Sequence, residues 1–161
     1  VSSNAYLRGK IDFDNFKLEK PYDKSREYAQ SKLADLVFSI ELQKRIAGIG
    51  DLVDSIAAQP GANNTELLRY LNDKECKDTL ERLGRLMDPW QGALPSLYAA
   101  TVTDFIPGAL YGPDQDGGYR GYPARAEIQP HAFNEDVARG LWEYAEEVTG
   151  VVFSISGLTA E

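Results

Sequence analysis

Histidine and cysteine are almost missing from this chain: His131 and Cys76 are the only ones among 161 residues. A single cysteine excludes an internal disulfide framework and fits a reducing compartment, so a cytoplasmic protein is expected. One histidine and one cysteine also exclude a zinc cluster built from His and Cys ligands within the chain. A Ser-His-Asp triad would depend on His131, which lies in the polar stretch IQPHAFNED and reads as a solvated loop residue. No apolar run approaches the roughly 18 residues needed to cross a bilayer, so no membrane span is expected. Positive charge is in deficit, with 17 Lys and Arg against 25 Asp and Glu. The net charge of −8 argues against nucleic acid or an anionic membrane as partner. What remains is a globular composition, 43% hydrophobic and 26% charged, in a chain long enough for one domain with a sizeable core.

The chain opens on VSSNAY, a β-branched residue followed by small polar ones, which reads as the end of a strand. Residues 7–24 read as a polar loop with an alternating piece at Ile11, Phe13 and Phe16. From about Ser25 to Ala47, apolar residues recur at Leu33, Leu36, Val37, Ile40 and Ile46, the three-and-four spacing of a helix that Gly48 and Gly50 end. LVDSIAA, residues 52–58, predicts a short buried strand ended by QPG, and this order suggests α/β layering with parallel strands. Beyond Pro60, NNTELLRYL, KECKDTLERLGRLM and PWQGALPSLYAATVT predict helices, the last with Pro89 in its first turn. GALYGPDQDGGYRGYPA is dense in turn residues and predicts one short strand at Ala109–Tyr111. Asn134 caps a final helix that Gly150 closes.

One pair within the first helix carries chemistry. In REYAQSKLADLVF, Tyr28 precedes Lys32 by four residues, so the two side chains share a helix face. The spacing alone is common in a chain with nine tyrosines, and it occurs a second time at Tyr6 and Lys10. That second pair spans Gly9 in the predicted loop, where no regular turn would keep its members together. A phenol is a poor acid–base group at neutral pH, and a neighbouring ammonium favours its phenolate form. Such a pair suits proton transfer to or from a carbonyl oxygen. A hydroxyl holding that oxygen would complete the site, and Ser2 and Ser3 at the end of the opening strand are candidates. Without further context a surface pair remains at least an equal reading of these residues.

Three segments in order supply the context: VSSNAY, then REYAQSKLA, then AAQPGANNTEL. Together they resemble the C-terminal half of short-chain dehydrogenases/reductases, where a strand ending in serine is followed by Y-x-x-x-K on a helix and by a strand ending in a P-G-x-x-x-T loop. GKIDFDNF and YAQSKLADLVFSIEL, with the tail segments YGPD and LWEYAEEVTGV, resemble the retinol-dehydrogenase-like branch, which includes the WW-domain oxidoreductases, in its bacterial form. The resemblance covers nearly the whole chain. It implies a Rossmann-like doubly wound parallel sheet, with residues 1–161 as the catalytic and substrate half of a single dehydrogenase domain. It implies Tyr28 as general acid/base, Lys32 hydrogen-bonded to the nicotinamide ribose, and Ser3 orienting the substrate oxygen, with Ser2 facing the sheet. It further implies an NAD or NADP cofactor approached by the loop at Pro60, Gly61 and Asn63, with the Thr65 hydroxyl near its carboxamide or pyrophosphate. The substrate would be a small lipophilic carbonyl or alcohol, under an apolar lid from Leu67, Leu68, Tyr70, Leu71, Leu83, Leu86 and Met87.

Two departures qualify the match. Ser3 and Tyr28 lie about twice as far apart as in the commonest members, a spacing shared with the retinol-dehydrogenase-like branch. The family's glycine-rich T-G-x-x-x-G-x-G turn and N-A-G motif do not occur; AGIG at residues 47–50 ends a helix and follows no strand. At about 30 residues per βα unit, on the order of 120 residues of a complete domain would lie upstream. A homo-oligomer or a complementary N-terminal half is therefore the expected partner. Two rival readings are a non-catalytic dinucleotide-binding or scaffold protein of the same fold, and a fragment inactive without its other half.

Overall fold

In the computed structural model, residues 1–50 and 52–153 are described. Helix α1, Lys24–Ile49, is the backbone of the domain. The Asp23 side chain accepts from the Arg26 N–H at its start, and Gly50 takes a left-handed conformation at its end, φ 70°. Its buried stripe of Leu33, Leu36, Val37 and Ile40 is the one the spacing predicts.

A three-stranded sheet follows: β1, Ala57–Ala58; β2, Leu110–Gln115; and β3, Arg120–Ala126, in the order β1-β2-β3. β1 and β2 are parallel, with Ala57 opposite Leu110 and Ala58 opposite Tyr111. Between them the chain passes through α2, Asp73–Leu83, and α3, Pro89–Thr101. Side chains alternate across a strand, so one register serves two layers. Ala57 and Leu110 join the core with Leu36, Val37 and Ile40 of α1, while Tyr111 packs on Tyr98 of α3, ring centroids 5.5 Å apart. Helix α4, Glu135–Thr149, lies beside α1 and completes its layer. Trp142 of α4 stacks on Phe38 of α1 at 5.2 Å, and the Arg45 guanidinium sits 4.3 Å from the indole. Helices on both faces of parallel strands make this an α/β, Rossmann-like fold.

Several local expectations are corrected. The strand expected over 52–58 is confined to Ala57–Ala58, and Leu52 is 97% exposed. NNTELLRYL forms a 3-10 helix at Glu66–Tyr70, with Thr65 as its cap. The segment read as one strand at 109–111 is a hairpin, so the sheet is mixed: β3 runs antiparallel to β2. Pro113 sits opposite Pro123, so the two missing N–H groups share one position of the ladder. Asp116, Gly117 and Gly118 all have positive φ and form the turn. Residues 1–6, expected as the end of a strand, carry none; Asn4–Arg8 form a 3-10 helix that runs into the expected loop, and Tyr6 is 2% exposed against His131, whose ring stacks on it at 5.8 Å. His131 is exposed, but it sits in a 3-10 helix, Pro130–Phe133, and not in a loop, with its Nε2 3.1 Å from the Tyr6 carbonyl oxygen. No helix among the described residues is long and apolar enough to cross a membrane.

Four carboxyls lie below their ordinary range: Asp12 through its bond with Lys20, Asp23 through the Arg26 N–H, Glu75 through Lys24, and Glu146 through the Phe153 N–H. With folded-state values below unfolded ones, their stabilising effect is complete above about pH 5 and is lost as pH falls through the folded values. The urea midpoint is therefore expected to drop between about pH 6 and about pH 3. A midpoint that holds across that range contradicts the assignment.

Candidate active site

Three segments meet at the C-terminal end of β1. The opening residues lie along the side of β1 away from β2: the Ser2 N–H donates to the Ala58 carbonyl at 2.8 Å. The Ser2 hydroxyl donates to the Lys32 carbonyl, also at 2.8 Å, and is buried, so Ser2 is spent on tying this segment to α1. Ser3 is half-buried and its Oγ accepts from the Ala5 N–H at 3.2 Å, capping the 3-10 helix that follows.

Tyr28 and Lys32 stand one turn apart on α1. The Lys32 Nζ is 6.0 Å from the Tyr28 ring centroid. It donates to Asp35 Oδ2 at 2.7 Å and to the Val1 carbonyl at 3.2 Å. An ammonium has three donors, so one is left for a further acceptor. Tyr28 is 36% exposed, open to an incoming molecule. The structure thus brings Lys32 against the opening segment that carries Ser3, with Tyr28 on the same helix face.

The third segment is the loop after β1. The Gln59 side chain is buried and bonds at both ends: its Oε1 accepts from the Gly61 N–H, and its Nε2 donates to the Gly118 carbonyl, each at 2.8 Å. Gly61 has φ 73°, and a Cβ there would lie 2.6 Å from the Tyr119 carbonyl oxygen, so glycine is required on two counts. The Asn63 Nδ2 donates back to the Pro60 carbonyl at 2.7 Å, closing the loop on itself. Its Oδ1 is buried with no partner among the described residues. Thr65 Oγ1 accepts from the Leu67 N–H at 3.4 Å and is exposed beside this loop.

The hairpin turn joins these parts. The Asn4 Nδ2 donates to the Gly117 carbonyl at 3.0 Å, and the Ala62 N–H donates to the Tyr119 carbonyl at 2.9 Å. Arg120 donates through Nη1 to the Leu83 and Arg85 carbonyls, at 2.5 and 2.7 Å. Sequence reasoning missed Asn4, Gln59, Asp35 and Arg120. Asp35 carried a signal, three residues after Lys32; the other three act across the fold and carried none. Of the expected lid, Met87 is buried, Leu67 is 66% exposed, and Leu68, Leu71, Leu83 and Leu86 are half-buried. The Tyr70 side chain lies outside the described residues. No group of three or more acidic, His or Cys side chains among the described residues could hold a metal ion.

A nicotinamide dinucleotide can be tested against these residues. Lys32 keeps one donor for a ribose hydroxyl, so the ribose beside the nicotinamide fits what is present.

No family model matches the chain. Among curated proteins it is 33% identical to retinol dehydrogenase 14 of Mus musculus over 155 residues, 94% of this chain and 44% of that protein. It is 33% identical to human retinol dehydrogenase 12 over 156 residues, 94% of this chain and 45% of the relative. Among solved structures, an uncharacterized protein from Mycobacterium paratuberculosis superposes with a TM-score of 0.73 at 28% identity, over 95% of this chain and 50% of that one. Over nearly its whole length the chain is a homologue of retinol dehydrogenases, which are short-chain dehydrogenases/reductases, and it spans about half the length of the relatives it matches.

Proposed function

We propose that residues 1–161 are the catalytic and substrate half of a single dehydrogenase domain in an NAD(P)-dependent oxidoreductase that interconverts a carbonyl and an alcohol on a small lipophilic molecule. The observation that carries this reading is the meeting of three segments at one strand end: Ser3, the Tyr28–Lys32 turn, and the loop from Pro60 to Thr65. When bound, the dinucleotide supplies or accepts the hydride. In the reducing direction the Tyr28 Oη gives its proton to the substrate oxygen as that oxygen gains negative charge, so carbonyl plus hydride plus proton becomes alcohol. The Ser3 hydroxyl donates a hydrogen bond to the same oxygen. Lys32 stabilises the phenolate left on Tyr28 and offers its remaining donor to the ribose. Pro60, Gly61 and Asn63 present the loop backbone to the nicotinamide, with the Thr65 hydroxyl at its flank.

A partner surface fits the same proposal. A cleft of 380 Å³ between α1 and α4 is lined by Val1, Ala34, Phe38, Leu42 and Leu141, an apolar face beside the opening segment. A complementary N-terminal half of the domain, or a second copy, would cover it.

The test is dinucleotide-dependent reduction of lipophilic aldehydes and ketones by the full-length protein, with Lys32→Ala alongside. Turnover that falls about 10²-fold or more in the variant supports the reading. Turnover indifferent to Lys32 removes it, as does the absence of turnover with either cofactor across the series.

A further inference from the structure

Helix α3 carries near its start a residue that helices disfavour. Gly92 is the fourth residue of Pro89–Thr101, and glycine is the poorest helix former after proline. The space around it supplies a reason. A Cβ at position 92 would lie 2.6 Å from Cγ, Nδ2 and Oδ1 of Asn63 alike, so one side or the other would have to move. The Asn63 carboxamide occupies the room that a side chain at position 92 would need.

The backbone is tied at the same place. The Met87 N–H donates to the Ala62 carbonyl and the Asn64 N–H to the Met87 carbonyl, each at 2.9 Å, so Asn63 and Met87 form a parallel bridge. Asp88 follows at once as the cap of α3, in a capping box with Gln91. The loop after β1 therefore rests on the start of α3 twice, through its backbone at 62–64 and through the side chain of Asn63. That side chain makes one hydrogen bond, from Nδ2 to the Pro60 carbonyl at 2.7 Å, while Oδ1 is buried with no partner among the described residues. A buried acceptor without a partner costs free energy, so packing against Gly92 helps to keep the carboxamide where it is. A Cβ at position 92 would meet the end of this side chain and no backbone atom, so Asn63 could swing aside. In doing so it would give up its bond to Pro60 and unhook the loop.

We infer that Gly92 and Asn63 are a matched pair of positioning residues: the bare helix face at Gly92 lets the Asn63 carboxamide fold back on Pro60, and this fixes on α3 the loop that faces the nicotinamide. The inference rests on the dinucleotide reading for what the loop presents. The seating of the loop is read without any cofactor, so the two can fail separately.

The experiment compares the full-length protein with Gly92→Ala, Asn63→Ala and the double variant, by amide hydrogen exchange without cofactor, by NADH and NADPH titration, and by Tm. In Gly92→Ala, exchange over residues 61–65 should rise about three- to tenfold, with α1 unchanged. The Kd for the preferred dinucleotide should weaken about tenfold, as for one lost hydrogen bond in the site, while kcat at saturation changes by less than about threefold. Tm should not fall, because alanine is the better helix former; a contact that served stability alone would lower Tm and leave the Kd as it was. Asn63→Ala should loosen the loop less, since it loses the tether without being pushed. The double variant should match Asn63→Ala, because no carboxamide is left for the new Cβ to meet. Unchanged loop exchange in Gly92→Ala overturns the pair, and so does a double variant whose losses are the product of the two single ones. Loop exchange that follows the expected pattern in a protein that binds neither NADH nor NADPH upholds the pair and removes the dinucleotide reading instead.

Discussion

Replacing Tyr28 with phenylalanine in the full-length protein is expected to lower kcat by about 10²- to 10⁴-fold, the range a positioned acid–base group contributes. The change deletes one oxygen at a 36% exposed position on a helix with its own buried stripe, so the fold has no reason to respond. Dinucleotide affinity should be retained, because Lys32 and the 60–65 loop are untouched. The diagnostic result is the split: kcat lost, with Tm and cofactor Kd within error of wild type. Tyr28→Phe with unimpaired turnover would show that proton transfer is made elsewhere, and Tyr28 would become an ordinary surface phenol.

Gln59→Ala is expected to be as damaging through a different route. The side chain is 1% exposed and links the Gly61 N–H to the Gly118 carbonyl, so truncation leaves two half-buried backbone groups without partners and opens a void. At about 1–3 kcal/mol for each unsatisfied group, the loss of stability should be about 2–6 kcal/mol. Turnover should fall as well, because the loop after β1 and the hairpin turn are no longer registered to each other. Gln59→Glu keeps the acceptor for Gly61 and places a second acceptor against the Gly118 carbonyl. Chemical denaturation decides it: a loss below about 0.5 kcal/mol, the level of an ordinary surface substitution, would mean that Gln59 does not hold the loop.

The contrast between these residues shows what was legible in the sequence. Tyr28 and Lys32 were readable because their relation is local: a helix makes spacing into geometry, and α1 announces itself through its stripe and its closing glycine. Pro60-Gly61 was readable as a turn for the same reason. Gln59, Asn4 and Arg120 act on residues 59, 113 and 37 positions away, and nothing in their neighbours marks them. The hairpin was hidden by its own composition. Prolines at 113 and 123 and glycines at 112, 117, 118 and 121 argue against strands one residue at a time, while the pairing of the two prolines and the left-handed turn make them compatible together. β1 was overestimated because Leu52 and Val53 look like strand residues, yet they lie exposed before the sheet begins.

The hairpin turn between β2 and β3 has a consequence for how the site comes into being during synthesis. Tyr28 and Lys32 can take up their helical relation as soon as α1 has left the ribosome, since a helix needs only its own residues. The loop that must face them waits for the carbonyls of Gly118 and Tyr119, made more than fifty residues after Gln59 and Ala62. A nascent chain stopped before Leu110 would hold Tyr28, Lys32 and Ser3, yet β1 would lack the strand it pairs with. The Tyr28–Lys32 relation is set locally, and the loop after β1 is fixed only by residues made later in the chain.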